Sequence, residues 1–414
     1  MNKSNILMKL AIATVGMTLS LALLEVQSAQ AAALYSITDL GSFGDYPDFT
    51  VATKINDVGQ VVVENFQYPK YSSDDTLLTP AKQQIFLWSN GNLKDLKAFN
   101  SLSSSGQLGF GGVVTDINNK GQMVGGWTDL NGQGHPLLGN QNTVTDLGSF
   151  NGITNFNRAE AINDLGQVVG GAITTNSQGQ DQYLGWLWQN GIKTGLNSPD
   201  NPSLSLSEIN NLGQIVGTSF ALSQHPINDF NAVVLTPDQQ VIELPALNGS
   251  SQSTGYDINN KSQVVGYSDD EAVLWSDGDV LGLGILGSNV NTGSVATGIN
   301  DLGQIVGFST ISEASFPTYG RHAFLWDGQL KDLNNLIPPN SGWELEDAND
   351  INNKGQIVGR GIFNDQSHAY LLTPLSDPEP VPEPLTIMGS LTAAGFGIAL
   401  RYRQKQQQKD ATKA

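Results

Sequence analysis

Cysteine is missing from all 414 residues. No disulfide framework, thiolate nucleophile or thiolate metal site can exist, and stability must come from packing. Basic residues are scarce: 20 Lys and Arg face 39 Asp and Glu, a formal net charge of −19. That sign makes nucleic acid and anionic lipid poor partners. Only four histidines occur. The phosphate-cradling G-x-x-x-x-G-K-[ST] loop, the H-E-x-x-H zinc helix and the G-x-S-x-G nucleophile elbow are all absent. These gaps point to a non-enzymatic protein. Carboxylate pairs, abundant in any acidic chain, keep a polysaccharide-acting hydrolase or lyase as the alternative.

What is present begins at the two ends. Lys3 and Lys9 precede an apolar stretch from Leu10 to Leu24 and the small-residue tract Ala29-Gln30-Ala31-Ala32-Ala33. This is the pattern of a secretory signal peptide over residues 1–33. At the other end, residues 376–384 read Ser-Asp-Pro-Glu-Pro-Val-Pro-Glu-Pro. Repeated proline removes amide donors and fixes φ, which predicts a stiff extended spacer. Uncharged residues Leu385 to Leu400 follow, then Arg401, Tyr402, Arg403 and Lys405. The apolar run predicts a short membrane helix ending in a basic cluster over 385–403, with a cytoplasmic tail over 404–414 and the body of the protein outside.

This tail, Val381-Pro382-Glu383-Pro384, then an apolar helix, then Arg401 and Arg403, resembles the PEP-CTERM sorting signal of bacterial exosortase substrates. The resemblance implies recognition by an exosortase-like membrane enzyme near Pro382-Glu383-Pro384. It also implies an exported protein that is membrane-anchored at first and at the cell surface or extracellular after processing.

Between the ends one phrase, I-N-[DN]-x-[GS]-Q-[VIM]-[VI], returns at Ile55, Ile117, Ile162, Ile209, Ile258, Ile299 and Ile351. A period in the forties marks a repeat architecture. Asn followed by Asp or Asn and then Gly suits a tight turn, and Gln-Val-Val or Gln-Ile-Val begins a β-branched strand, so the phrase predicts a hairpin. A second phrase, as in Gln84-Ile85-Phe86-Leu87-Trp88, Leu184-Gly185-Trp186-Leu187-Trp188 and His322-Ala323-Phe324-Leu325-Trp326, predicts a third strand. Asn-Gly or Asp-Gly pairs then lead into a fourth, such as Leu93 to Leu96 or Leu330 to Leu333. The last unit ends after its third strand at Leu372, whereas Tyr35-Ser36-Ile37-Thr38-Asp39-Leu40-Gly41 matches the fourth strand Val144-Thr145-Asp146-Leu147-Gly148 without a unit of its own. If the N-terminal strand completes the last sheet, the ring closes. The fold expected over 34–375 is therefore an all-β, seven-bladed β-propeller of four-stranded repeats closed by strand exchange.

The hairpin phrases, with His322-Ala323-Phe324 and its variant His368-Ala369-Tyr370, resemble the HAF family of extracellular repeat proteins. The family implies a secreted or surface location and no defined activity.

Antiparallel order puts first-to-second and third-to-fourth turns on one face of the ring, and second-to-third loops and inter-blade links on the other. The latter are the longer and more irregular, and recognition on rigid scaffolds concentrates in such loops. They carry aromatics beside carboxylates: Tyr68 and Tyr71 near Asp74 and Asp75, Trp127 near Asp129, Tyr267 near Asp269 and Asp270, and Tyr319 near Phe316. Aromatic faces suit the C–H faces of sugar rings. Tyr68, Tyr71, Trp127, Tyr267 and Tyr319 are thus the candidate ligand-binding residues, and extracellular polysaccharide or surface proteins the candidate partners. The Asx-rich hairpins lack the D-x-[DN]-x-[DN]-G ladder of a calcium loop, so no cofactor is expected and calcium has no ligand motif behind it. His135, His322 and His368 begin the third strand of different units, too far apart for one metal and suited to a structural hydrogen bond.

Overall fold

The computed structural model describes residues 33–375 except 43–48, 68–69, 72–76, 80–81, 104–112, 130, 151, 154–155, 176, 178, 198–202, 221–229, 251, 288–292 and 312–319. The proposed signal peptide, spacer, membrane helix and tail therefore lie outside the described residues, as do Tyr68, Phe316, Tyr319, Val381, Pro382, Glu383, Pro384, Arg401 and Arg403. Among the described residues, no helix is long and apolar enough to cross a membrane.

Seven four-stranded antiparallel sheets form a β-propeller. In blade seven, strands Trp343–Ile351, Ile357–Phe363 and Gln366–Pro374 are completed by Tyr35–Gly41 from the N-terminus. Tyr35 pairs with Pro374, Ile37 with Leu372 and Asp39 with Tyr370, so the closure expected from the unmatched N-terminal strand is observed. A short helix, Lys97–Ser103, stands where sequence gave only a loop, and buries Phe99 against Ile85, Leu87 and Met123. A two-stranded ribbon, Lys70–Tyr71 with Leu77–Thr79, adds to blade one.

The apolar core lies between blades. Val358, Ala369 and Leu371 of blade seven meet Ala52, Ile55, Val61 and Val63 of blade one in one cluster. Val306 and Leu325 of blade six meet Leu345, Ile351 and Tyr370 of blade seven in another. Each second strand is covered on both faces, which explains why Val61, Val62 and Val63 are consecutive and all fully buried instead of alternating with polar residues.

Every first strand carries a β-bulge just before its phrase, for example between Ala52 and Lys54 and between Gly255 and Asp257. In six blades the glycine ending the second strand's hydrophobic run sits opposite it, and in blade one Val63 takes that place opposite Ala52. A Cβ at Gly266 would lie 1.9 Å from the Thr254 carbonyl oxygen, and one at Gly359 1.9 Å from that of Asp347. At those two positions the approach leaves no room for a side chain.

The phrase itself ties the blades together. The side chain of its first Asn closes its own turn: Asn163 Oδ1 accepts from the amides of Leu165 (3.1 Å) and Gln167 (3.0 Å), and its Nδ2 donates to Gln167 Oε1 (2.7 Å). The same Nδ2 donates to the carbonyl of Asn210 in the next blade at 3.0 Å. This last bond recurs from Asn56 to Asn118, on through every blade, and from Asn352 back to Asn56. The result is a closed seven-membered ring of buried amides.

A second ring runs beside it through the [DN] position. The Asp57 amide donates to Asn119 Oδ1 at 2.7 Å, the Asn119 amide to Asp164 Oδ1 at 2.8 Å, and so on until the Asn353 amide reaches Asp57 Oδ1 at 2.8 Å. Around this ring the residues are Asp57, Asn119, Asp164, Asn211, Asn260, Asp301 and Asn353. Asn amides donate to the spare oxygens of neighbouring Asp residues, as Asn119 does to Asp57 (3.1 Å) and Asp164 (2.9 Å). Strict alternation of Asp and Asn is impossible in a ring of seven. The one like pair is Asn211 and Asn260, and no two carboxylates adjoin, which avoids like-charge repulsion between neighbours.

Asn163→Ala removes both donors and both acceptors of a buried ring member. It is expected to lower unfolding stability by about 2–4 kcal/mol, measurable by urea denaturation. A change within about 0.5 kcal/mol would mean that the ring contributes little beyond water-satisfied turns.

Candidate functional site

Two regions of the ring carry functional side chains: the axial channel and the face formed by second-to-third loops and inter-blade links. The channel cavity, of about 160 Å³, is lined by the ends of the seven first strands and their phrases. Asp57, Asp164 and Asp301 of the second ring line its mouth, and the position just before the phrase isoleucine adds Lys54, Asp116, Glu208, Asp257 and Asp350. Ala161 and Gly298 fill the equivalent places in blades three and six.

The bulges explain the carboxylates. Each bulge leaves the amide of its isoleucine without a ladder partner. Asp116 accepts from its own Ile117 (2.7 Å) and from Ile162 of the next blade (2.8 Å). Asp257 does the same for Ile258 and Ile299, both at 2.7 Å, and Asp350 for Ile351 (2.8 Å) and Ile55 (2.9 Å). Glu208 takes Ile209 at 3.1 Å with one oxygen and the Lys54 ammonium at 2.9 Å with the other. Four carboxylates thereby satisfy all seven isoleucine amides, and the blades lacking an acid are served by the preceding one.

Two carboxylates pair with the one ammonium, Glu208 at 2.9 Å and Asp116 at 3.9 Å, and Asp350 and Asp257 act on it from farther away. Burial pushes Asp116 up to about 7, with Glu208 adding to the effect and Lys54 opposing it. Burial raises Glu208 to about 7 and Asp257 to about 6, against the pull of Lys54, and it raises Asp350 as well. For Lys54 burial acts downward, but Glu208 and Asp116 outweigh it and hold the amine well above the ordinary lysine value. Carboxyls that protonate near neutral pH often mark catalytic sites. Here their oxygens are occupied by backbone amides or by Lys54, an arrangement that fastens blades together.

The opposite end of the structure is aromatic. Tyr183, at the start of the third strand of blade three, stands 5.9 Å from Phe220 of blade four, centroid to centroid. Phe220 pairs across its hairpin with Phe230 at 6.1 Å. Phe230 meets Tyr267 of blade five at 6.3 Å, and Tyr267 meets Tyr256 at 6.2 Å. Five rings thus make a continuous arc over three blades, from an outer strand to the bulge of an innermost one. Tyr183 and Tyr256, its two ends, are 40 and 38 % exposed. Across the ring, Trp343 stacks on Phe363 at 4.9 Å, and the Arg360 guanidinium lies 4.6 Å from the centroid of Phe49. Arg360 and Arg321 both bind Asp347 Oδ2, at 2.8 and 2.7 Å.

Of the candidate ligand residues, Tyr267 is a member of the arc. Trp127 belongs to blade two and stacks on His135 of its own sheet at 4.6 Å. Tyr71 lies in the added ribbon of blade one. The three candidates among the described residues, Tyr71, Trp127 and Tyr267, therefore belong to three different blades and form no common site. Tyr183, Phe220, Phe230 and Tyr256 belong to strands of three different repeats, and only contacts between blades bring them together. For Tyr183, Phe220 and Phe230 the position at strand ends nearest the loops was the available signal, whereas Tyr256 sits at the bulge within its strand. Not every connection on this face is long: Asp269 and Asp270 form a two-residue turn with φ of 55° and 61°, as do Asn364 and Asp365 with 52° and 62°. The carboxylates of Asp269 and Asp270 are thus turn residues, and no group of His, Asp or Glu that could hold a metal occurs among the described residues.

The three strand-starting histidines each bind an aspartate of the fourth strand: His135 to Asp146 (2.8 Å), His322 to Asp332 (2.6 Å) and His368 to Asp39 (2.9 Å). The last bond spans the closure. The Asp332 hydrogen bond raises His322 above its ordinary value.

No family model and no curated protein matches the chain. Among solved structures it is similar to the Pyrococcus horikoshii acylaminoacyl peptidase, at 10% identity and a TM-score of 0.50 over 80% of this chain. The chain spans about half of that peptidase (52%). The β-propeller domain of the Trilobed protease from Pyrococcus furiosus is a further match, at 9% identity and a TM-score of 0.48, covering 81% of this chain and 97% of that one. At such identities the likeness concerns architecture alone, and the β-propeller is established by the seven sheets of the chain itself.

Proposed function

We propose that the protein is a non-enzymatic, exported surface propeller that binds extracellular polysaccharide, or a surface protein, through the aromatic arc of its long-loop face. The observation carrying this reading is the run of rings from Tyr183 to Tyr256. Rings about 6 Å apart over three blades offer an extended polymer successive stacking surfaces, and aromatic contacts add affinity with little entropy cost. The signal-peptide pattern and the resemblance of the tail to an exosortase sorting signal support export and surface placement. The engagement of the channel carboxylates by backbone amides weighs against a pair free to act as acid and nucleophile.

The test is binding of the full-length protein to extracellular polysaccharide from the producing organism, with released sugars assayed in parallel and with calcium or chelator added. Saturable binding without sugar release is expected, unchanged by chelator. The double variant Tyr183→Ala, Tyr256→Ala should bind at least about tenfold more weakly while melting like the parent, because both side chains are exposed. Unaltered affinity would remove the arc from the proposal. Sugar release would favour the hydrolase or lyase reading.

A further inference from the structure

The face opposite the aromatic arc is formed by the phrase turns, which ring the channel mouth. At the tip of each turn stands the residue after the [DN] position. Four of these tips are aliphatic and strongly exposed: Val58 (56%), Leu165 (65%), Leu212 (55%) and Leu302 (66%). The other three are Lys120, Lys261 and Lys354, all exposed, and none forms an ion pair among the described residues. None of the seven tips is an acid, and the neighbouring Asp57, Asp164 and Asp301 are engaged by amides and Asn side chains of the second ring. The third-to-fourth hairpins beside blades three and four add Ile192 at 69% and Val241 at 47% exposure, whereas the hairpins farther out carry exposed Asp238, Asp277, Asp279 and Asp327. Between blades three and four a groove of about 500 Å³ opens beside Leu165, Leu212 and Ile192.

Turn tips need no aliphatic side chain. The turn is made by Asn, Gly and Gln, and lysine occupies the same place in three blades with the same backbone. Leucine at such a site exposes apolar area to water without packing gain, so its recurrence marks a contact surface.

The course of the chain indicates what is contacted. The last strand, Gln366–Pro374, runs from the aromatic face to this one. It ends with the Pro374 ring against Gly355 of the blade-seven turn and with Thr373 bonded to the Gln356 side chain. The chain leaves the propeller beside the Lys354 tip, and the uncharged run Leu385 to Leu400 follows shortly in the sequence. Aliphatic tips flanked by lysines match the interfacial zone of a bilayer, where apolar side chains enter the acyl boundary and ammonium groups meet phosphates.

We infer that the ring of turn tips rests on the lipid surface, so that the propeller stands channel-mouth down on the membrane with its aromatic arc facing away. Net charge alone argued against anionic lipid, but the seven turn tips closest to the axis are only basic and apolar, with the acids set beside or outside them.

The absence of native cysteine makes the test direct. Full-length protein carrying Lys120→Cys or Lys261→Cys, which keeps all four aliphatic tips, is labelled with an environment-sensitive fluorophore. Asn364→Cys, in the two-residue turn on the opposite face, serves as control. In vesicles of phosphatidylethanolamine and phosphatidylglycerol, the labels at 120 and 261 should shift to the blue and be quenched several-fold more by a lipid-borne quencher than the label at 364. Adding Leu165→Asp, Leu212→Asp and Leu302→Asp should abolish that difference even if the tail still holds the protein on vesicles. Equal quenching on both faces, or no association at all, would overturn the inference. So would a blue shift that follows protein concentration without lipid, which would assign the face to a second copy of the chain.

Discussion

Removal of Leu34 to Phe43 is expected to abolish cooperative folding of the propeller at moderate temperature. The segment supplies the fourth strand of blade seven, and its loss strips the Gln366–Pro374 strand of its partner. Tyr35 and Leu40, each 5% exposed, leave two different inter-blade clusters. Those two side chains alone represent about 3–6 kcal/mol of burial. The Asp39 bond to His368 and the bonds from the Leu34 and Tyr35 amides to the Leu336 carbonyl disappear with them. Because blade seven also contacts blade one, both rings of Asx hydrogen bonds become liable to open at the same seam. Circular dichroism melting of intact and truncated protein decides the matter: a loss of at least about 10 °C, or a broad melt, is expected. A truncated chain that melts like the intact one would show that the closure is dispensable.

Replacing Lys54 with methionine should be nearly as damaging, and in a pH-dependent way. The substitution leaves Asp116, Glu208, Asp257 and Asp350 around a small cavity with no cation among them. Breaking one side of a buried charge cluster typically costs about 3–5 kcal/mol. At lower pH the penalty shrinks, because carboxyls raised toward 6 and 7 take up protons.

The parent protein shows the same linkage more weakly. Its channel carboxyls titrate higher when folded than the ordinary 3.8 for Asp and 4.5 for Glu. Between about pH 4 and 7 the folded state thus holds more protons than the unfolded one, and stability falls as pH rises through that window. The raised His322 acts in the same direction, since its stabilising charge is lost as pH climbs. Asp332 is depressed, so its opposite contribution falls below the ordinary aspartate range, outside the window. The parent should therefore melt on the order of 5 °C higher at pH 5.5 than at pH 8. Lys54→Met should widen the difference and Glu208→Gln should narrow it. A melting temperature that is flat across this range in all three proteins would show that the channel carboxyls titrate normally.

The primary structure alone determined the architecture. Seven copies of a turn-forming phrase, a β-branched strand after each, and an unmatched N-terminal strand are local patterns, and strand period and turn chemistry are local physics. The phrase's Gly and Gln could be read as turn residues, and the strand-starting histidines as hydrogen-bonding groups, because each interaction closes within a blade or across one hairpin.

What only the tertiary structure decided was everything made between blades. The first Asn of each phrase suffices for its own turn, so nothing in one repeat discloses that its amide also grips the next blade 41 or more residues away. The order of Asp and Asn around the second ring has meaning only once the ring is known to close on seven members. The channel carboxylates answer to amides freed by bulges, and a bulge is a property of two paired strands. The aromatic arc joins rings from three repeats that no sequence window contains together. Local patterning specifies the blade, whereas the sites, which arise where blades meet around a common axis, depend on distances set by ring closure.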